Sequence, residues 1–71
     1  MPHIQVKMYP GRDEDTKNTL SKALEEAMIS VLGCSSDAIS ISIDEVEKNN
    51  WQEVYDNEIM NNSTLYKKPN Y

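Results

Sequence analysis

Two short stretches that alternate between apolar and polar residues flank one long helical stripe, and that order leaves few folds open. Residues 2 to 8 read PHIQVKM, with Ile4, Val6 and Met8 set against His3, Gln5 and Lys7. A period of two predicts a strand with one buried face. From Ala38 to Asp44 the alternation returns, with Ile39, Ile41 and Ile43 against Ser40, Ser42 and Asp44. Isoleucine is a strong strand former, so this is the clearest strand in the chain. Between the two, Asp13 to Leu32 carries Leu20, Ala23, Leu24, Ala27, Met28, Val31 and Leu32 at helical spacing. Asp13, Glu14 and Asp15 suit the positive end of the helix dipole, and Gly33 is placed to end the helix. Tyr9-Pro10-Gly11 reads as the turn before it. Strand, helix and strand with short connections predict a βαβ unit with parallel strands, an α/β (α+β) fold.

The second half adds little that could close a core. Asn50, with Glu53 three residues on, resembles a capping box. A helix from about Trp51 to Met60 then places Trp51, Val54, Tyr55 and Ile59 on one face. The tail from Thr64 to Tyr71 is short and polar. With 71 residues, residues 1–71 are read as a single domain that buries only about 60% of its unfolded surface. Two strands and two helices leave both sheet edges unpaired. Cys34 is the one cysteine, so no internal disulfide can compensate, and His3 is the one histidine, so no metal staple is expected. Self-association that extends the sheet is the remaining source of buried area. Ile29 lies off the main helical stripe and is expected to face a partner subunit.

Charge narrows the function classes. Twelve acidic side chains against seven basic ones give a net charge of −5. Nucleic-acid phosphates and anionic membrane surfaces both reward the opposite sign. No apolar run approaches the ~20 residues of a membrane span, and MPHIQVKM lacks the pattern of a signal peptide. The expected compartment is the cytoplasm, with no nucleic-acid or membrane partner.

Few residues are left to carry chemistry. Gly11 and Gly33 are the only glycines, which excludes dinucleotide and phosphate-loop motifs. Pro2 is one candidate. Removal of Met1 leaves it with a free secondary amine, and α-amino groups titrate near ~7.7–8.0. Apolar burial and nearby cations lower such a pKa toward that of a useful base. Proline is also an ordinary start to an edge strand, and spacing alone favours that reading. Arg12, the only arginine, follows the Pro-Gly turn. A guanidinium can grip a carboxylate through two parallel hydrogen bonds, or it can pair in solvent with Asp13, Glu14 or Asp15. Trp51 and Tyr55 can wall an aromatic pocket, although such a stripe more often forms core. Lys67 and Lys68 can supply charge to an anion or simply be solvated.

Taken together these residues resemble the 4-oxalocrotonate tautomerase family. The resemblance runs through Met1-Pro2 at the start of the PHIQVKM strand, the Gly11-Arg12-Asp13-Glu14 turn, the ISISIDE strand and Trp51. The segments NNWQEVYDNEI and LYKKPNY are similar to the phenylpyruvate tautomerase branch. The resemblance implies a cofactor-independent isomerase that moves a proton between enol and keto forms of 2-oxo acids. It implies Pro2 as general base, Arg12 as carboxylate ligand and Trp51 as pocket wall. The better-known branch has a second arginine where this chain has Ser40, so a monocarboxylate such as phenylenolpyruvate is expected over a dicarboxylate. Ser40 is then expected to offer the substrate a neutral hydrogen bond. The family forms dimers or trimers of dimers, and the longer tail favours a homodimer over a hexamer here. A non-catalytic binding or scaffold module of the same fold is the alternative.

Overall fold

A computed structural model describes all 71 residues. Strand β1 runs His3–Met8, helix α1 Glu14–Leu32 and strand β2 Ser40–Glu45. The strands pair in parallel with His3 opposite Ser40, Val6 opposite Ile43 and Met8 opposite Glu45. Parallel pairing needs a crossover, and α1 supplies it. Ile4, Val6, Ile41 and Ile43 are half-buried, and the two isoleucines of β2 border a shallow hollow against Lys17, Asn18 and Ser21 of α1. His3, Gln5, Ser40 and Asp44 lie exposed on the opposite face, where Gln5 Nε2 donates to Asp44 Oδ2 at 2.9 Å.

Helix α1 starts and stops as its sequence dictates. Asp13 is its cap: its backbone is extended and its Oδ1 accepts from the Thr16 amide at 2.8 Å. Gly33 ends the helix at φ 71°, where a side chain would be strained, and its amide donates to the Ile29 carbonyl. Lys17 links the helix to Glu45 at the end of β2, at 3.6 Å, and to Glu14 at 3.1 Å. The bond to Glu14 is the main reason its ammonium pKa is raised. The apolar stripe is wider than the surface it covers. Leu20, Leu24 and Met28 are half-buried, whereas Ala23, Ala27, Val31 and Leu32 are exposed. A sheet of two strands is too narrow to cover the whole stripe.

The second helix differs from its sequence expectation. Asn50 makes no capping bond and has helical rather than extended dihedrals, so there is no capping box. A 3₁₀ turn over Lys48–Asn50 leads into α2 (Trp51–Val54), which loosens into a π-helical segment, Tyr55–Met60. The Asn61 amide reaches the Asp56 carbonyl, five residues back, at 3.2 Å. The expected face survives this change: Val54 is buried, and Trp51, Tyr55 and Ile59 are half-buried. Lys7 of β1 forms an ion pair with Glu58, which ties this segment to the sheet.

Val54 is the only buried residue. A compact chain of 8.1 kDa exposes roughly 4,500 Å², whereas this one exposes 5650 Å². Its radius of gyration is 13.7 Å, against about 11 Å for a compact chain of this length. The molecule is a slab of 36 × 31 × 19 Å. Val31, Leu32, Met60 and Tyr66 remain on its surface, as does Ile29, the residue off the helical stripe.

Candidate active site

The turn after β1 sets the position of Arg12. Gly11 adopts φ 127°, a region closed to most side chains, so the chain can swing Arg12 back toward the strand. The three acidic residues that follow do not neutralise it. Asp13 is committed to the Thr16 amide, and that bond holds its carboxyl below the ordinary carboxylate range. Glu14 pairs with Lys17, and no carboxylate lies within ion-pair distance of the guanidinium. Arg12 Nη1 instead lies 4.0 Å from the Met8 thioether sulfur, a weak acceptor.

Arg12 opens onto a cavity of about 420 Å³ lined by Lys7, Met8, Tyr9, Trp51 and Tyr71. That volume falls in the range of small-molecule sites. The Tyr9 and Trp51 rings meet edge to face, with centroids 5.2 Å apart and planes at 76°. Trp51 Nε1 donates to the Tyr71 hydroxyl at 3.2 Å. A second cavity of about 380 Å³ shares Tyr9, Trp51 and Tyr71 and adds Gln52 and Tyr55. Lys7 is neutralised by Glu58, and the Lys48 ammonium sits 5.6 Å from the Tyr9 ring centroid. The one unpaired guanidinium at the cavity, among aromatic walls, can take the carboxylate of a planar acid.

The four residues singled out from sequence do not form one cluster in a single chain. Arg12 and Trp51 share the cavity beyond the end of β1. Pro2 and Ser40 stand at the other end of the sheet, where the Ser40 amide donates to the Pro2 carbonyl at 3.2 Å. Between the two groups β1 advances about 3.3 Å per residue, which makes roughly 20 Å. The Ser40 hydroxyl is 2.7 Å from His3 Nδ1. Met1 is fully exposed and packs on nothing, so its loss costs the fold no contact. Lys67 and Lys68 are exposed and line neither cavity.

Sequence reasoning missed Lys7, Met8, Tyr9 and Tyr71 as residues of the Arg12 cavity, and Gln52 as one of the second. Tyr9 had a readable signal, because it directly precedes the turn that delivers Arg12. Tyr71 had none: a tail without periodicity gives no indication of where it docks.

Residues 2–57 match the family model described as tautomerase enzyme. The chain belongs to the tautomerase family. Across its whole length it is 38% identical to a probable tautomerase of Xylella fastidiosa, covering 89% of that protein. It is 36% identical to tautomerase PptA of Escherichia coli, covering 97% of that one. Among solved structures it superposes on YwhB, a homologue of 4-oxalocrotonate tautomerase, with TM-score 0.64 and 34% identity over 66% of this chain and 77% of the other. On TomN, another such homologue from the tomaymycin biosynthetic pathway, the TM-score is 0.68 and the identity 28%, over 70% of this chain and 77% of the other. This tautomerase therefore carries the βαβ fold of 4-oxalocrotonate tautomerase and is an isomerase. No helix is long and apolar enough to cross a membrane.

Proposed function

We propose that this tautomerase converts the enol of an aromatic 2-oxo monocarboxylate, such as phenylenolpyruvate, to its keto form. The observation that carries this reading is the unpaired Arg12 guanidinium in a cavity walled by Tyr9 and Trp51. Arg12 is the one unpaired cation lining that cavity and matches one carboxylate, and the rings match an aryl group. With Lys7 neutralised by Glu58, a second carboxylate finds no equivalent partner there.

The proton carrier in this reading is the Pro2 nitrogen after Met1 is removed. While Met1 is attached that nitrogen is an amide and has no basicity. As a free amine it takes the proton from the enol hydroxyl. The oxygen lone pair forms the C=O bond, and the C=C electrons accept the same proton at the neighbouring carbon. Arg12 holds the carboxylate and stabilises charge that develops on the conjugated system. Trp51 keeps water from the Pro2 amine and so favours its neutral form. When His3 Nδ1 donates to Ser40, the Ser40 hydroxyl proton is free to hydrogen-bond the substrate oxygen.

A base roughly 20 Å from the carboxylate ligand cannot serve the same small substrate. The reading therefore takes Pro2 and Ser40 from one copy and Arg12 and Trp51 from another, across a homodimer. The unpaired outer edges of β1 and β2 and the uncovered side of α1 favour such pairing. The excess exposed area, roughly 1,100 Å² over a compact chain, is of the order one partner buries in a standard interface.

The test is enol-to-keto conversion of phenylenolpyruvate by the Met1-free protein and by its Pro2→Ala variant. The variant is expected to lose about 10²-fold or more in rate, as removal of a general base does. Equal rates for the two proteins would remove Pro2 from the mechanism.

A further inference from the structure

The tail ends against the cavity through one residue. Residues 61–71 contain no helix or strand, and no side chain or amide between Leu65 and Asn70 takes part in a hydrogen bond. Tyr71 alone is held at several points. Its hydroxyl accepts from Trp51 Nε1 at 3.2 Å, and its main-chain oxygen accepts from the Tyr55 hydroxyl at 2.5 Å. Its ring lies 5.3 Å from the Tyr55 ring at 33°. The tail thus behaves as a strap pinned at its far end. It also lies outside residues 2–57, the part that matches the family model.

The pinned ring has an open side. Tyr71 is 69% exposed even with these contacts. It borders both the 420 Å³ cavity that holds Arg12 and the 380 Å³ cavity beside Tyr55. Trp51 and Tyr71, bonded to each other, border both. An aromatic face left open beside a guanidinium is a surface that a second ring can cover.

We infer that Tyr71 is a specificity-determining residue of this cavity, a wall that selects aryl-bearing acids over small aliphatic ones. The inference rests on the reading of the Arg12 cavity as the acid-binding site. Arg12 takes the carboxylate of any acid that enters. The Tyr71 ring adds contact area only when the acid carries a ring of its own, so its effect differs between the two classes. Replacing the ring by an aliphatic group removes that contact area and does not touch the carboxylate contact.

The experiment uses unreactive acids, so binding is read apart from turnover. Trp51 is the only tryptophan, and its emission follows titration of the Met1-free protein with 3-phenylpropionate and with butyrate. In Tyr71→Leu the Kd for 3-phenylpropionate is expected to rise about three- to tenfold, the worth of one aromatic pair, with the Kd for butyrate unchanged. Tyr71→Phe, which keeps the ring and loses the hydroxyl, is expected to stay within about twofold of wild type for both acids, since the lost bond is a neutral one at an exposed site. Equal weakening of both acids in Tyr71→Leu would show a structural role only and overturn the assignment. Unchanged binding of 3-phenylpropionate would overturn it too. Loss of enol turnover in wild type, with the binding difference intact, would instead strike the proposed reaction and leave the role of Tyr71 standing.

Discussion

Pro2 and Arg12 stand beyond opposite ends of the same six-residue strand, with β1 between them. A parallel sheet delivers its strand starts to one edge and its strand ends to the other. In the proposed reaction, a substrate held by both residues therefore bridges two chains.

Complementation between two inactive variants tests this directly. Pro2→Ala and Arg12→Ala, each defective alone, are unfolded and refolded together. A mixed dimer then carries one site with both residues intact and one with neither. Random pairing predicts recovery to about a quarter of wild-type activity, as two-fold symmetry requires. Light scattering is expected to give twice the 8.1 kDa chain mass. Failure of the mixture to exceed its components would place both residues in one chain.

Arg12 is unpaired, so its replacement disturbs no ion pair and its effect should appear in substrate binding. Arg12→Ala is expected to raise KM about ten- to hundredfold, the range for hydrogen bonds to a charged group. Arg12→Lys keeps the charge and loses the planar fork, so it should recover only part of that loss. Melting temperatures close to wild type for both variants would confirm that the loss lies in binding. A KM unchanged by Arg12→Ala would leave the cavity without its carboxylate ligand.

In the proposed reaction Ser40 offers the substrate a neutral donor in place of a charge. Ser40→Ala is expected to lower kcat by about fivefold, in keeping with one hydrogen bond of about 1 kcal/mol made in the transition state. Blocking the adjacent donor should act through the same bond, so His3→Ala combined with Ser40→Ala should cost little more than Ser40→Ala alone. Full turnover by Ser40→Ala would exclude the role.

Asp13 is expected to make helix α1 sensitive to acid. Its hydrogen bond with Thr16 lowers its pKa in the folded chain, while an unfolded aspartate titrates near ~3.9. A depressed folded pKa contributes stability that is fully present above the unfolded value and disappears as pH falls through the folded one. Asp13→Ala should therefore melt below wild type at pH 7, and the gap should narrow in thermal scans below about pH 4. A gap independent of pH would mean that the carboxylate charge does not matter to the cap.

Local rules carried the first two-thirds of the chain. The alternation of PHIQVKM and ISISI, the acidic helix start at Asp13-Glu14-Asp15 and the Gly33 stop each rest on residues within a few positions of one another. The structure has β1 and the Gly33 stop as read, but Asp13 caps α1 from outside it, and β2 begins at Ser40 rather than Ala38, because Ser36–Ala38 forms a 3₁₀ turn. Asn50 and Glu53 show the limit of such rules, because the 3₁₀ turn before Trp51 leaves Asn50 in helical dihedrals where no capping box can form. The helical stripe showed which residues are apolar but not how much of it a two-stranded sheet would cover, so Ala23, Val31 and Leu32 lie exposed rather than packed.

By itself, the sequence determined the order of strands and helix, their faces and the identity of the chemical groups. Those depend on backbone preference and hydrophobic period, which act over a few residues. Only the tertiary structure decided which groups meet. Strand direction puts Pro2 and Ser40 at one end and Arg12 and Trp51 at the other, and the docking of the tail brings Tyr71 twenty residues along the chain to Trp51. Such meetings are set by topology and by contacts distant in sequence, which no local pattern records.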